Sequence, residues 1–112
     1  LFITHDLSLA WLISDRIAIM YLGSILEIGS ADDVIKRALH PYTKALTAIM
    51  PTPGVNPEKQ RNTLPGEIAS AAEEIVGCKF RTRCDKAFDK CACERPALKE
   101  IEDGHFVACH LY

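Results

Sequence analysis

Hydrophobic and polar positions change period several times along the chain, and each change predicts an element. Leu1–Thr4 is a short apolar run with β-branched residues, which predicts a buried strand. Leu7–Ile13 is almost wholly apolar and is closed by Asp15 and Arg16. Asp6 before it is a good N-cap type, so a buried helix of about ten residues is expected there. Ile17–Leu22 and Ser24–Ile28 are rich in β-branched and apolar residues and flank a Gly23-Ser24 turn, with Gly29 ending the second run. That pattern predicts a β-hairpin.

Ser30 is placed to cap a second helix, with Asp33 three residues on and Val34, Ile35, Ala38 and Leu39 as the apolar face. His40-Pro41 breaks this helix and starts another, since proline is favoured at the first helical position. Tyr42, Ala45, Leu46 and Ile49 then recur at i, i+3, i+4, i+7, an amphipathic stripe that ends at Pro51-Thr52-Pro53-Gly54. Val55–Gln60 reads as a linker or exposed loop, Leu64-Pro65-Gly66-Glu67 as a turn and Ala69–Glu74 as a short helix. From Gly77 onward there is no sustained period. The predicted fold class is an α/β unit over 1–53, a linker over 54–76 and a loop-rich cysteine-containing subdomain over 77–112.

Composition narrows the function classes. The 112 residues are 48% hydrophobic and 25% charged, with net charge −2. This argues against disorder and against a nucleic-acid binder that works through bulk positive charge. The tail after Cys78 carries seven Lys or Arg against six Asp or Glu, so no basic patch hides there, and Arg81, Arg83 and Lys79 read as a mixed solvated surface. Ile17–Leu26 is about half the ~20 residues of a spanning helix, and no signal peptide is visible. The abrupt opening on Leu1-Phe2-Ile3 suggests a fragment, one that buries its exposed strand by self-association.

Candidate chemistry lies at two places. His5 follows a strand at its carboxyl end, where α/β sheets bind ligands; an imidazole there can donate to a phosphate oxygen or orient water. The second place is the run Cys78, Cys84, Cys91, Cys93 and Cys109, with spacing C-x5-C-x6-C-x-C-x15-C. An odd count of five disfavours disulfides. Zinc would take four Cys or His ligands, with His105 and His110 nearby, but the paired C-x2-C knuckles are missing. An iron–sulfur cluster tolerates wider gaps. Reduced thiols in a small core are the bland reading. The tail is poor in other large apolar residues, and a structural metal site would compensate for that.

The stretch from Leu1 to Pro53 resembles the C-terminal part of an ABC-transporter ATPase subunit. Ile3-Thr4-His5-Asp6 is similar to the family's switch loop. Ser14-Asp15-Arg16, the IAIMYLG/SILEIG strand pair and His40-Pro41-Tyr42-Thr43 are similar to the segments C-terminal to that loop in the oligopeptide and dipeptide importer branch. The resemblance continues through Leu64–Glu67 and into the tail, where Gly77, Cys78, Phe80, Arg83, Cys84, Cys91, His105, Val107, Cys109 and His110 match that branch's C-terminal pattern.

The resemblance implies ATP and Mg2+ in the full-length protein, with His5 contacting the γ-phosphate and positioning the attacking water. Asp6 would fix the loop. In some members the cysteines hold a 4Fe–4S cluster; carried over, the ligands are Cys78, Cys84, Cys91 and Cys109, with Cys93 either a replacement for Cys91 or a bystander. Zn2+ is the alternative. The implied partners are membrane permease subunits and a second ATPase subunit, at the cytoplasmic face of the membrane, with no nucleic acid. No G-x-x-x-x-G-K-[ST] loop, ABC signature or acidic-pair strand is present, so the chain alone is expected to be inactive. The rival reading is a small metal-binding interaction or regulatory module in which His5 is only a cap.

Overall fold

The computed structural model describes residues 1–51 and 74–112. Their elements are α1 (Leu7–Ile13), β1 (Arg16–Tyr21), β2 (Ser24–Ser30), α2 (Ala31–Lys36), α3 (Pro41–Ala48), α4 (Asp89–Cys93), β3 (Lys99–Glu102) and β4 (His105–Val107). The strands form one antiparallel sheet in the order β1-β2-β4-β3. The linker, the Leu64–Glu67 turn and nearly all of the expected Ala69–Glu74 helix lie outside the described residues.

The β1–β2 hairpin follows its pattern, with a shifted turn. Leu22 (φ 47°) and Gly23 (φ 76°) occupy the two central positions, the left-handed pair that matches the twist of the flanking strands. Lys79 Nζ donates to the Leu22 carbonyl at 2.6 Å and pins this turn to the tail. The strand does not stop at Gly29: Gly29 pairs with Ile17, and Ser30 with Arg16.

Ile17, Ile19 and Tyr21 point inward from β1. On β2 the register shifts between Ile19 and Met20. This bulge turns two successive residues, Leu26 and Glu27, to the buried side. Two apolar clusters result. Ile17, Ile19, Ala31 and Val34 form one; Tyr21, Leu26, Cys78, Phe80 and Cys91 form the other.

Capping residues act as their types predict. Asp6 Oδ1 accepts from Leu9 N at 3.0 Å, and Ser30 Oγ from Asp33 N at 3.1 Å. His40 Nδ1 accepts from Tyr42 N at 3.0 Å, with Pro41 at the first helical position.

Three expectations are corrected. Leu1–Thr4 forms no strand, because no described strand pairs with it and a strand exists only through its ladder; Leu1, Phe2 and Ile3 are exposed. α1 contains no buried residue. Leu7 and Ala10 pack on the first cluster, while Leu9, Trp11, Leu12 and Ile13 face outward. The third correction concerns the tail. It contains α4, β3 and β4, and it does not stand apart: β4 pairs with β2 through Glu27–Val107 and Ile28–Phe106.

Candidate functional site

Phe80 joins the tail to the hairpin. It is 1% exposed and meets Tyr21 edge-on at 5.4 Å, Tyr42 at 5.2 Å and His40 at 5.7 Å between centroids. Such aromatic contacts are worth about 0.5–1.5 kcal/mol each beyond area burial. The tail therefore borrows its core from the hairpin and α3, which is why its own shortage of apolar residues does not leave it unpacked.

A buried polar lock reinforces this joint. Glu27 is fully buried. Its Oε1 accepts from Leu39 N at 2.9 Å and its Oε2 from His40 N at 3.0 Å. His105 Nε2 donates to Oε1 at 2.7 Å. One carboxylate thus ties β2, the His40-Pro41 break and β4 together. Gly29 makes room: a Cβ there would stand 3.1 Å from the His105 ring. Burial lowers the His40 pKa from its ordinary value to about 4, against the opposing pull of Glu27. The Tyr42 N–H aimed at Nδ1 requires that nitrogen unprotonated, which agrees with a neutral ring.

The lock also relocates a candidate ligand. His105, one of the histidines considered for zinc, is committed to Glu27. His110 lines the cysteine pocket, but its Nε2 pairs with the Glu94 carbonyl at 2.7 Å. Sequence reasoning missed Glu27; the available signal was a charged residue inside an otherwise apolar strand.

Cys78, Cys84, Cys91 and Cys109 line one pocket of about 10 Å³ together with Phe80 and Arg81. Three chain segments converge there. Cys78 N donates to the Cys91 carbonyl at 2.8 Å, docking the start of the tail on α4. Gly77, at φ +79°, makes that approach possible, since a Cβ would collide with the same carbonyl. Turns closed by Arg81 N to Cys78 O (3.2 Å) and Cys84 N to Arg81 O (3.4 Å) bring Cys84 round. Cys109 follows β4, fixed where Ala108 N donates to Leu26 O at 2.8 Å. Cys93 is exposed and does not line the pocket.

Two opposing effects act on three of the thiols, and burial is the larger. Burial pushes Cys78, Cys84 and Cys109 above their ordinary values. Backbone N–H groups work the other way: Phe80 and Arg81 on Cys78, Lys86 on Cys84, Leu111 on Cys109. Amide dipoles gathered on sulfur favour thiolate, the form that binds metal. Among the described residues, no three His, Cys, Asp or Glu side chains are placed to hold a single metal ion. Zinc needs four ligands converging at about 2.0–2.3 Å, and this arrangement does not provide that.

His5 lies elsewhere. It is exposed, immediately before α1, and does not line the cysteine pocket. Asp6 secures the turn on both sides of its own position, its N–H donating to Thr4 Oγ1 at 3.0 Å while its carboxylate caps α1. Asp6 is thus a structural cap, and His5 is displayed beside it.

Residues 26–91 match the family described as the oligopeptide/dipeptide transporter C-terminal region. The chain is 49% identical over its whole length to a putative oligopeptide transport ATP-binding protein, YkfD, of Bacillus subtilis, covering 35% of that protein. It is 47% identical over 97% of its length to a putative peptide import ATP-binding protein of Brucella ovis, covering 34% of it. With the oligopeptide transport ATP-binding protein OppF of Haemophilus influenzae the identity is 43%, over 97% of the chain and 33% of the relative. The chain thus spans about a third of the length of these relatives.

Proposed function

Because the chain belongs to the family of the oligopeptide/dipeptide transporter C-terminal region, we propose that it is the C-terminal part of the ATP-hydrolysing subunit of an ABC importer for peptides or related solutes. The observation that carries this reading is the match over residues 26–91, joined to relatives named as peptide-import ATP-binding proteins. ATP and Mg2+ belong to the whole subunit, whose phosphate-cradling loop is not in this sequence. The working partners are membrane permease subunits and a second ATPase subunit, at the cytoplasmic face of the membrane. Among the described residues no helix is long and apolar enough to cross a membrane, which suits a peripheral subunit. In this reading 1–53 carries the nucleotide chemistry, 54–76 connects, and 77–112 supplies the cysteines of a pocket that His40 and Pro41 also line.

His5 is the residue of this chain assigned to the chemistry. Phosphoryl transfer depends on positioning and charge stabilisation. An imidazole N–H held beside a capped turn supplies one directed donor to a γ-phosphate oxygen. His5→Ala in the full-length subunit, assembled with its permease, is expected to lower kcat for ATP hydrolysis about a hundredfold. The KM for ATP should change little, because adenine and the other phosphates are held elsewhere. Unchanged kcat would remove His5 from the mechanism.

For the tail we infer a 4Fe–4S site with Cys78, Cys84, Cys91 and Cys109 as ligands. Support comes from the four thiols sharing one pocket and from the amides turned toward three of them. The donor set suits such a cluster. The pocket is narrow, and Lys86, Ala87 and Leu111 on its lining are exposed. When bound, the group would cross-link the Cys78–Cys84 turns, α4 and the segment after β4. A structural metal site of this kind contributes on the order of 10 kcal/mol to folding.

A further inference from the structure

Arg81 lines the four-cysteine pocket, yet the sequence pattern singles out its neighbour Arg83, which stacks over Tyr21 at 5.9 Å. Arg81 Nη1 is buried and has no hydrogen-bond partner among the described residues. Leaving a charged donor buried and unpaired costs more than leaving a neutral one so. An acceptor belongs there. Two other cations of the tail have partners: Lys79 reaches the Leu22 carbonyl, and Lys90 reaches Glu94 at 3.9 Å. The pocket wall that Arg81 shares holds the four sulfurs of Cys78, Cys84, Cys91 and Cys109, alongside Phe80, Lys86 and His110.

We propose that Arg81 is a positioning residue for the pocket's contents, its buried Nη1 donating to an anionic sulfur of the bound cluster or of a ligating thiolate. This rests on the iron–sulfur reading above. A guanidinium has the right chemistry: it stays charged at all relevant pH and offers several N–H donors in a fixed fork. Its backbone N–H also turns toward Cys78, and its charge favours that thiolate. One residue therefore delivers two donors to one corner of the site. A fixed positive charge in contact with sulfur stabilises the more negative, reduced state of a cluster, so it raises the reduction potential.

The test is a dye-mediated redox titration of anaerobically prepared protein, run on wild type, Arg81→Gln and Arg81→Lys, with iron and sulfide assayed in each. Arg81→Gln is expected to hold the cluster with its reduction equilibrium weakened at least tenfold, a shift of about 59 mV toward negative potential for one electron. Arg81→Lys, which keeps the charge, should stay closer to wild type. An unchanged potential in a cluster-loaded Arg81→Gln overturns the proposal. If Arg81→Gln holds no cluster, Arg81→Lys decides: retention there supports the charge, and loss in both folded variants assigns Arg81 to packing and overturns it. Wild type without iron and sulfide overturns the cluster reading itself, a failure the assay separates from the other two.

Discussion

Gly77 shows how much a single backbone position decides. It lies at φ +79° against the Cys91 carbonyl, where a side chain has no room. Gly77→Ala should cost about 1–3 kcal/mol from the left-handed conformation alone, and the collision adds to that. Urea unfolding followed by Trp11 fluorescence measures it. Glu27→Ala strands two backbone N–H groups and the His105 ring in a buried space; a loss of about 3–5 kcal/mol is expected by the same measurement. His40 gives a pH signature. Its folded pKa, about 4, lies below the ordinary 6.5, so the unfolded chain binds more protons between the two. Stability is then fully present above about pH 6.5 and falls as pH drops toward 4, by about 3 kcal/mol in total. His40→Asn, which keeps an N-cap side chain, should flatten that slope.

At the scale of elements, the local signals in the sequence were accurate wherever a residue type has one dominant use. Asp6, Ser30 and His40-Pro41 mark the starts of α1, α2 and α3. Its β-branched and apolar content gave β1; that Ile17, Ile19 and Tyr21 are its inward residues came only with the structure. Pairing at a distance left no such signal. β4 is three residues long and carries a histidine at its first position; such a strand has almost no periodic pattern, and it forms because β2 offers a bulged edge and Glu27 a partner for His105. For the candidate site, the five cysteines were legible at once. That Cys91 and not Cys93 turns inward was not, since it depends on α4 docking beneath Gly77. Phe80→Ala, which removes the aromatic bridge between hairpin and tail, should cost about 3–5 kcal/mol in the urea experiment.

On the scale of the whole molecule, apolar surface is distributed unevenly. The hairpin and tail close around Phe80 and Val34, whereas Leu1, Phe2, Ile3, Leu12 and Ile13 stand in solvent. The 112-residue chain is accordingly expected to self-associate, with sedimentation velocity showing species larger than a monomer that grow with concentration; a monomer throughout would contradict this. The tail presents the four-thiol pocket, and its proposed role depends on what that pocket holds. The most direct measurement is the iron, acid-labile sulfide and zinc content of anaerobically purified wild type, Cys91→Ser and Cys93→Ser. About four iron and four sulfide per chain are expected in wild type and in Cys93→Ser, with an impaired cluster in Cys91→Ser. Zinc alone, no metal at all, or a cluster that survives without Cys91 and fails without Cys93 would contradict the proposed ligand set.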